Sequence, residues 1–318
     1  MRSRFYSIVI CLAAVFLTPA QSPSLRAVEK IALVPLPYAN VTVLVDNMAG
    51  VEVGGPILGE WGASLLLETD KNRILIDTGA GQALISNTRA MKVDLGKTEA
   101  IVLSHEHGDH TNGLEQALKA CGLVDLYVHP AAFETRYWKE GSTVEPHRLP
   151  FSRQQLTQRV RKLVETKEPT AIREGVMVTG QIPRLNDFED TGVRENAFLD
   201  QSAKAPDPIA DDQAIFFRVP EGVVILLGCG HAGLVNTMQY VCQLLGESEI
   251  YAVMGGTHLV GASPRRVQQT IAALRRYKVQ KVLLSHCTGL DAYVQFASAF
   301  PGRCQWPASG TRIRFGRQ

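Results

Sequence analysis

Three of the eight histidines in this 318-residue chain lie within six residues, in the segment Ser104-His105-Glu106-His107-Gly108-Asp109-His110. The apolar run Ala100–Leu103 precedes them and is typical of a strand buried on both faces of a sheet. The histidines therefore follow the end of a buried strand, where layered α/β proteins place their functional loops. A solvated turn that contains histidine by chance does not explain this density. The segment therefore predicts a metal site with imidazole and carboxylate ligands.

The spacing within this segment suits two metal ions. His105 and His107 alternate along an extended loop and can point the same way, whereas Asp109 and His110 turn towards a neighbouring position. Neutral imidazole and carboxylate suit zinc and other divalent transition metals. We therefore expect two divalent cations, with Zn²⁺ as the first candidate and Mn²⁺ or Fe²⁺ as alternatives.

The remainder of the chain predicts two sets of strands, each followed by helices. The predicted strands are Val41–Val45, Ala63–Leu67, Arg73–Ile76, Ala100–Leu103, Leu123–Val128, Ala214–Val219, Val223–Leu227, Ile250–Met254, Lys281–Leu284 and Thr311–Phe315. The predicted helices are a stretch that ends near Met91, then Thr111–Ala120, Gly233–Leu245, Pro264–Tyr277 and Asp291–Phe300. This order predicts two packed sheets with helices outside, in one catalytic domain at 30–318.

Residues 130–210 differ from this pattern because they contain most of the local polar and charged residues. They include a helix-like stretch at Ser152–Val164 and a mixed loop at Arg184–Ala210. A long insertion in a compact domain is often a lid or a substrate-binding element, although a charged helix is often only a solvated face. We predict an insertion or lid at about 130–210 and leave both interpretations open.

The first 22 residues have the three-part form of a secretory signal peptide. Arg2 and Arg4 precede the apolar run Phe5–Leu17, and small and polar residues follow it. This run is shorter than the about 20 apolar residues of a spanning helix, and no later stretch reaches that length. We predict a cleaved signal peptide over 1–22, no stable membrane insertion, and a periplasmic or secreted product. The alternative is an uncleaved N-terminal anchor.

Composition narrows the class of ligand. Lys plus Arg number 33 and Asp plus Glu number 31, and this near-balance argues against a dedicated nucleic-acid binder. We expect a small-molecule substrate, with an anionic one among the candidates, and no nucleic-acid partner. No feature of the sequence specifies an oligomeric state.

The cysteines give no sign of a zinc ribbon or a thioredoxin-like site, because the chain has no Cys-x-x-Cys pair. Five of the six follow the predicted signal peptide, so at least one thiol is expected outside any disulfide. Cys121 and Cys242 fall in apolar helical stretches and are expected to be buried and inert. Cys229 and Cys287 each lie close to a histidine.

His105-x-His107-x-Asp109-His110, with Leu75-Ile76-Asp77-Thr78-Gly79 upstream, resembles the metallo-β-lactamase superfamily. Further segments resemble its branch of 7,8-dihydropterin-6-methyl-4-(β-D-ribofuranosyl)-aminobenzene-5′-phosphate synthase-like metal-dependent hydrolases. These segments lie at 180–184, 187–189, 211–214, 228–236, 255–259 and 284–289. The matches follow the expected order over nearly all of the chain after residue 22. The resemblance implies an α/β fold, a four-layer αββα sandwich of two mixed β-sheets with outer helices.

The resemblance also implies two sets of ligands. The set for the first metal ion is His105, His107 and His231, and the set for the second is Asp109, His110 and His286. Asp77 would orient a ligand histidine by a hydrogen bond, although Asp-Thr-Gly is also good turn chemistry.

One segment departs from the superfamily pattern. Many members place a metal-bridging aspartate after the strand that here runs into Gly228-Cys229-Gly230. Three interpretations remain open: only a water bridges the metals, Cys229 contributes, or His231 takes the bridging region. In the last case His258 is the best candidate for the missing ligand, and it is otherwise a candidate substrate contact.

Three further positions have weaker interpretations. His129 precedes a proline at a strand end and is expected to pack or to cap. His147, within the predicted insertion, is expected to contact substrate or solvent. The pair Arg265-Arg266 is a candidate contact for an anionic group, although arginines at a helix N-terminus are usually surface residues.

The expected reaction is hydrolysis. Two divalent cations lower the pKa of a bound water and stabilise the oxyanion that forms as it attacks a carbonyl or phosphoryl centre. We expect a small ester, amide or phosphoester substrate, and Asp109 as the catalytic residue that binds metal and directs the water's proton. No Ser-x-x-Lys or Gly-x-Ser-x-Gly motif offers a competing nucleophile.

Three other functions remain open: a synthase-like lyase or transferase, a mononuclear iron oxidoreductase, and a metal-binding protein without catalysis. The predicted export argues against pterin biosynthesis, which draws on cytoplasmic intermediates. The complete set of ligands argues against a non-catalytic role. A β-lactam substrate does not follow from the superfamily's name.

Overall fold

The computed structural model describes residues 30–50, 55–189 and 196–317. The predicted signal peptide at 1–22 lies outside these residues. No helix within the described ranges is long and apolar enough to cross a membrane.

The described residues form two large sheets, one small sheet and seven α-helices. The strands are β1 (Tyr38–Val45), β2 (Ser64–Glu68), β3 (Arg73–Ile76), β4 (Ala100–Val102), β5 (Asp125–Val128), β6 (Arg136–Glu140), β7 (Thr143–His147), β8 (Lys162–Glu165), β9 (Thr170–Arg173), β10 (Val176–Val178), β11 (Ala197–Phe198), β12 (Ile215–Val219), β13 (Gly222–Leu227), β14 (Ala252–Gly255), β15 (Lys281–Leu284), β16 (Cys304–Gln305) and β17 (Arg312–Gly316). The helices are α1 (Leu84–Ala90), α2 (Gly108–Thr111), α3 (Leu114–Cys121), α4 (Arg153–Thr157), α5 (Leu234–Leu245), α6 (Pro264–Arg276) and α7 (Leu290–Ala299).

Both large sheets have seven strands and are mixed. The first has the order β17-β1-β2-β3-β4-β5-β8, and its strands from β3 to β8 pair in parallel. The second has the order β16-β15-β14-β13-β12-β10-β9, and its strands from β13 to β16 pair in parallel. The remaining pairs in both sheets are antiparallel.

Alternation along the strands decides which layer each side chain joins, because successive residues of a strand face opposite sides of its sheet. Ile74 of β3 and Val224 of β13 belong to the core between the two sheets. Leu75 packs with α1, α3 and α4 on the outer face of the first sheet. Ile225 packs with α5, α6 and α7 on the outer face of the second. The predicted four-layer αββα sandwich of two mixed sheets is confirmed.

The predicted helix at Ser152–Val164 is wrong beyond its first turns. Ser152 begins the helix with a capping box formed with Gln155, but α4 ends at Thr157. Residues 162–165 instead form β8, which pairs in parallel with β5. Pairing with a strand distant in sequence overrides the local preference of such a short segment.

The predicted helix at Thr111–Ala120 is interrupted. α2 ends at Thr111 and α3 begins at Leu114. Gly113 lies at this break, and a Cβ on it would lie 2.1 Å from the carbonyl oxygen of Thr78. The chain can pass this close to the end of β3 because residue 113 has no side chain.

The segment at 130–210 contributes strands to all three sheets. β8 extends the first large sheet, while β9 and β10 form the edge of the second. The strands β6, β7 and β11 form a separate three-stranded sheet. Among the described strands of this segment, those of the small sheet belong to neither large sheet, and the role of the small sheet as a lid stays a prediction.

The parallel strands of both sheets direct their following loops to one edge of the sandwich. Asp77 follows β3 and the histidine-rich loop follows β4. Cys229, His258 and His286 follow β13, β14 and β15. This edge therefore collects the residues that the sequence analysis selected.

Candidate metal centre

Seven side chains form two groups of potential metal ligands at this edge. The first group is His105, His107 and His231, and the second is Asp109, His110, Cys229 and His286. Within each group the donor atoms all lie within 4.8 Å of one another. The structure thus brings all six predicted ligands together in the predicted two sets and adds Cys229 to the second.

The first group is a compact triangle of imidazoles. The ring centroid of His105 lies 4.5 Å from that of His107 and 4.8 Å from that of His231, and the last two rings are 4.9 Å apart. Nε2 of His105 is buried and has no hydrogen-bond partner among the described residues. A buried polar atom of this kind needs a partner, and a cation within the triangle supplies one. The group therefore fits a metal ion.

His258 lies beside this triangle and outside it. Its ring contacts that of His231, with the centroids 4.3 Å apart, but it belongs to neither group of donors. Of the two alternatives that the sequence left open, the geometry favours His231 as the third ligand. Ligation itself stays a prediction.

The second group has four donors that converge closely. Nε2 of His110 lies 3.1 Å from Sγ of Cys229 and 3.1 Å from Nε2 of His286. Oδ2 of Asp109 lies 3.3 Å from the same His286 nitrogen. Imidazole, carboxylate and thiol are a ligand set suited to a divalent transition metal. The second group therefore also fits a cation.

Asp77 orients His110 through a hydrogen bond to the ring nitrogen opposite the metal side. Its Oδ2 lies 2.7 Å from Nδ1 of His110 and accepts a hydrogen bond of 2.7 Å from Oγ of Ser104. Its Oδ1 accepts a hydrogen bond of 2.7 Å from the Ser104 backbone N–H. A carboxylate at Nδ1 fixes the tautomer of the ring and leaves Nε2 for the metal side. This is the geometry expected of the orienting role predicted for Asp77.

Gly228 allows this buried network to form. A Cβ at Gly228 would lie 2.0 Å from Oγ of Ser104 and 2.7 Å from Oδ2 of Asp77. Any side chain would therefore displace the hydrogen-bonded pair that orients His110. The end of β13 can approach the loop of the first sheet only as glycine.

The sequence analysis did not identify two residues that orient His286. Oδ1 of Asn47 lies 2.9 Å from Nδ1 of His286, and Oδ2 of Asp46 accepts a hydrogen bond of 2.9 Å from the His286 backbone N–H. The sequence signal that could have identified them is a pair of polar residues directly after the buried strand β1. Their partner is 239 and 240 positions away in the chain, so local spacing gives no sign of the contact.

Burial and neighbouring charges set the protonation of the donor groups. Burial lowers the pKa of His105 and of His107, which keeps these imidazoles in the neutral form that binds metal. Burial opposes ionisation of Asp109, but the charges of His110 and His286 outweigh it and lower the pKa of that carboxyl. Burial also raises the pKa of the Cys229 thiol, so this sulfur binds as a thiolate only where a cation displaces its proton.

Both groups open on one cavity of about 530 Å³. Its lining includes side chains from both ligand groups and from the small sheet, and comprises Trp61, His107, Gly108, Asp109, Trp138, His147, Asn196, Cys229, His258, Val260 and Cys287. The small sheet contributes Trp138 from β6 and His147 from β7. It therefore forms one wall of the cavity.

His147 was expected to contact substrate or solvent, and it lines the cavity. Its Nδ1 lies 2.8 Å from Oε2 of the buried Glu106, and this hydrogen bond raises the pKa of His147. His129, expected to pack or cap, accepts a hydrogen bond of 3.1 Å from the Ala131 N–H and caps a short 3₁₀ turn.

The two arginines have different environments. Arg265 is exposed and pairs with Asp187 at 3.0 Å, whereas Arg266 is buried and donates to the carbonyl oxygen of Thr257 at 3.5 Å. Neither Arg265 nor Arg266 is among the described residues that line the cavity.

The cysteines on helices differ from those near the histidines, as expected. Cys121 and Cys242 are buried on α3 and α5, and burial raises their pKa values to about 11 and about 12, so both thiols stay protonated and inert. The five described cysteines are all free thiols. Cys287 donates from Sγ to the carbonyl oxygen of Cys229 at 3.4 Å.

Comparison with known proteins agrees with this geometry. Residues 62–237 match the sequence profile of the metallo-beta-lactamase superfamily. The chain is 27% identical over 288 residues to 7,8-dihydropterin-6-methyl-4-(beta-D-ribofuranosyl)-aminobenzene-5′-phosphate synthase of Methanocaldococcus jannaschii, with 86% of this chain and 96% of that protein covered.

Two solved structures share the fold. The crystal structure of Tm1679, described as a metal-dependent hydrolase of the beta-lactamase superfamily, has a TM-score of 0.73 and 22% identity, with 88% of this chain and all of that chain covered. The metallo-beta-lactamase fold protein YhfI from Bacillus subtilis has a TM-score of 0.51 and 13% identity, with 88% of this chain and all of that chain covered.

Replacing Asp77 with Asn tests the orienting network. The substitution preserves shape but removes the negative charge and one acceptor at Nδ1 of His110, and we expect metal affinity to fall about 10- to 100-fold. Competition for Zn²⁺ with a chelator measures this change. Asp94→Asn is the matched control, because Asp94 caps a 3₁₀ turn through Gly96 and Asn can do the same. Equal affinities of the Asp77 and Asp94 variants would contradict the orienting role.

The contribution of Cys229 can be measured by absorption spectroscopy after substitution with Co²⁺. We expect a thiolate-to-metal charge-transfer band, because Sγ of Cys229 lies among the donors of the second group. Cys229→Ala should remove the band, and Cys242→Ala, which alters a buried thiol on α5, should retain it. Absence of the band in the wild type would show that Cys229 does not contribute, and a band that survives in the Cys229 variant would come from another thiol, with Cys287 of the same cavity as the candidate.

Proposed function

This chain belongs to the metallo-β-lactamase superfamily, and we propose that it is a metal-dependent hydrolase acting on a small ester, amide or phosphoester. The observation that carries the proposal is the opening of two buried groups of potential metal ligands on one cavity. A site that serves one structural cation needs neither a second group of ligands nor a cavity of this size.

The donors of the two groups favour two divalent cations. The first group offers three imidazoles, for which Zn²⁺ is a common partner. The second adds a carboxylate and a thiol, and the thiol favours Zn²⁺ or Fe²⁺ over Mn²⁺. When bound, such ions supply Lewis acidity towards water and towards the oxyanion of a substrate.

The side chains around the cations would divide the remaining work. Asp109 lines the cavity, and its lowered pKa keeps a carboxylate there that would direct the proton of a metal-activated water. Trp61 and Trp138 give the cavity apolar walls for the substrate. His147, held by Glu106, presents a polar edge from the small sheet.

A synthase-like reaction is the second candidate, and the name of the relative from Methanocaldococcus jannaschii supports it. The same ligands would then hold cations that bind a phosphate group, and the two tryptophans would fit a planar ring. Product analysis distinguishes the two reactions, because hydrolysis incorporates one oxygen from labelled water into a product. A lyase or transferase reaction gives products without that oxygen.

We further propose that the protein is exported as a periplasmic or secreted enzyme. The support is the basic start at Arg2 and Arg4 followed by the apolar run Phe5–Leu17. N-terminal sequencing of protein recovered from the periplasmic or culture fraction should show a chain that starts near residue 23. Recovery of residues 1–22 in the membrane fraction would support an uncleaved anchor instead.

The metal content of the mature protein tests the hydrolase proposal. We expect about two zinc ions per chain, one for each group of ligands, and less metal in His107→Ala and His231→Ala. His129→Asn is the control, because Asn keeps an acceptor for the Ala131 N–H outside the metal centre. Elemental analysis measures the metal, and chromogenic esters and phosphodiesters measure hydrolysis.

Three results would contradict parts of this proposal. One iron ion per chain would favour a mononuclear oxidoreductase. Absence of metal after reconstitution would remove the basis for an enzyme of this kind. Metal loss in the His107 variant alone would show that His231 is not a ligand.

A further inference from the structure

His258 lies at the cavity without belonging to either group of metal ligands. It follows β14, lines the cavity, and packs its ring against that of His231 with the planes 40° apart. Only 9% of the residue is exposed. A histidine buried this far is expected to have a hydrogen-bond partner, and the metal groups do not supply it.

The backbone directs this side chain into the cavity. His258 has a φ of 44°, in the left-handed region that residues with a Cβ seldom adopt. The conformation is held by the neighbouring loop, because the N–H of His258 donates to Sγ of Cys287 at 3.3 Å and the N–H of Leu259 donates to the Cys287 carbonyl oxygen at 3.1 Å. Backbone strain that is held in this way is typical of functional positions.

The ring nitrogens of His258 are available to a ligand. No described residue hydrogen-bonds to either nitrogen, and Nδ1 is buried. An N–H without an acceptor is rarer in protein interiors than an acceptor without a donor, so we place the proton on Nε2. The ring then offers one N–H donor to a molecule in the cavity.

The charges around His258 favour an anionic oxygen as the acceptor. The buried guanidinium of Arg266 lies close enough for its charge to act on the ring, and it donates a hydrogen bond to the carbonyl oxygen of Thr257. Asp109 is the negative group that acts on the ring. Cations held by the two groups of ligands would offset the charge of Asp109.

We propose that the Nε2–H of His258 binds an anionic substrate oxygen, of a phosphate or a carboxylate, while the substrate lies over the metal ions. The proposal rests on the proposed function, since it takes the two groups of ligands as the reacting centre. In this proposal His258 binds the substrate and is not a metal ligand.

The test compares two variants of the metal-loaded mature protein by calorimetric titration with inorganic phosphate. His258→Gln keeps an N–H donor near the position of Nε2, and His258→Leu has a similar volume and no donor. We expect phosphate to bind the Leu variant about tenfold more weakly than the wild type, and the Gln variant within about threefold of it. Metal content should be unchanged in both.

A parallel titration with acetate separates the two anions. If the substrate oxygen belongs to a phosphate, the Leu substitution weakens phosphate binding more than acetate binding, and a carboxylate gives the reverse. Should the Leu variant fail to fold, His258→Asn replaces it, because Asn tolerates left-handed backbone and its shorter amide does not reach the position of Nε2.

Several outcomes would overturn the role of His258. These are phosphate binding by the Leu variant as tight as the wild type's, undetectable phosphate binding by metal-loaded wild type, and loss of metal in both variants, which would mark His258 as a ligand. Failure of the proposed function is recognised separately, because wild-type protein would then contain no metal before any phosphate is added.

Discussion

The buried carboxylate of Asp77 is the interaction on which the rest of the site depends. It joins the end of β3 to the loop after β4 through Ser104, and it reaches Nδ1 of His110. A buried carboxylate is costly unless its oxygens are paired, so this network has to form as a unit. Once it forms, the position of His110 is fixed and Asp109, next to it in the chain, is brought to the second group.

Strained backbone occurs in the loops that carry the site. Asp77, His258 and His286 are three of the seven described non-glycine residues with left-handed φ angles. Each such residue costs on the order of 1–3 kcal/mol, which the surrounding packing has to offset. All three lie within three residues of the end of a parallel strand of the two large sheets, so the rigid core of the sandwich holds the strained loops in place.

The sequence predicted most of the two groups of potential ligands because these residues lie in recognisable local motifs. The spacing of residues 105–110 predicted four candidate ligands, and the family resemblance implied His231 and His286. The separate roles of His231 and His258 were not predictable, since both follow buried strands in glycine-rich segments. Only the distance between side chains distinguishes them, and that distance depends on how β13 and β14 pair.

The sequence also predicted the apolar strands of the fold but not the polar ones. The strands of the two large sheets that carry long apolar runs were located, because burial on both faces leaves a clear signal. The strands β6 and β7 were missed since they are largely polar and exposed, and β8 was mistaken for a helix because its partner β5 lies far away in the sequence. Contacts of that kind are properties of the assembled sandwich.

Each group of ligands takes donors from both sheets. His105, His107, Asp109 and His110 follow β4 in the first sheet, while Cys229, His231 and His286 follow strands of the second. A cation bound by either group therefore ties the two halves of the sandwich together, and it has no comparable site in the unfolded chain. By mass action, free metal at a thousand times its dissociation constant adds about 4 kcal/mol to the free energy of unfolding. The supply of metal to the compartment in which the protein folds would then govern how much folded protein accumulates, as well as how active it is.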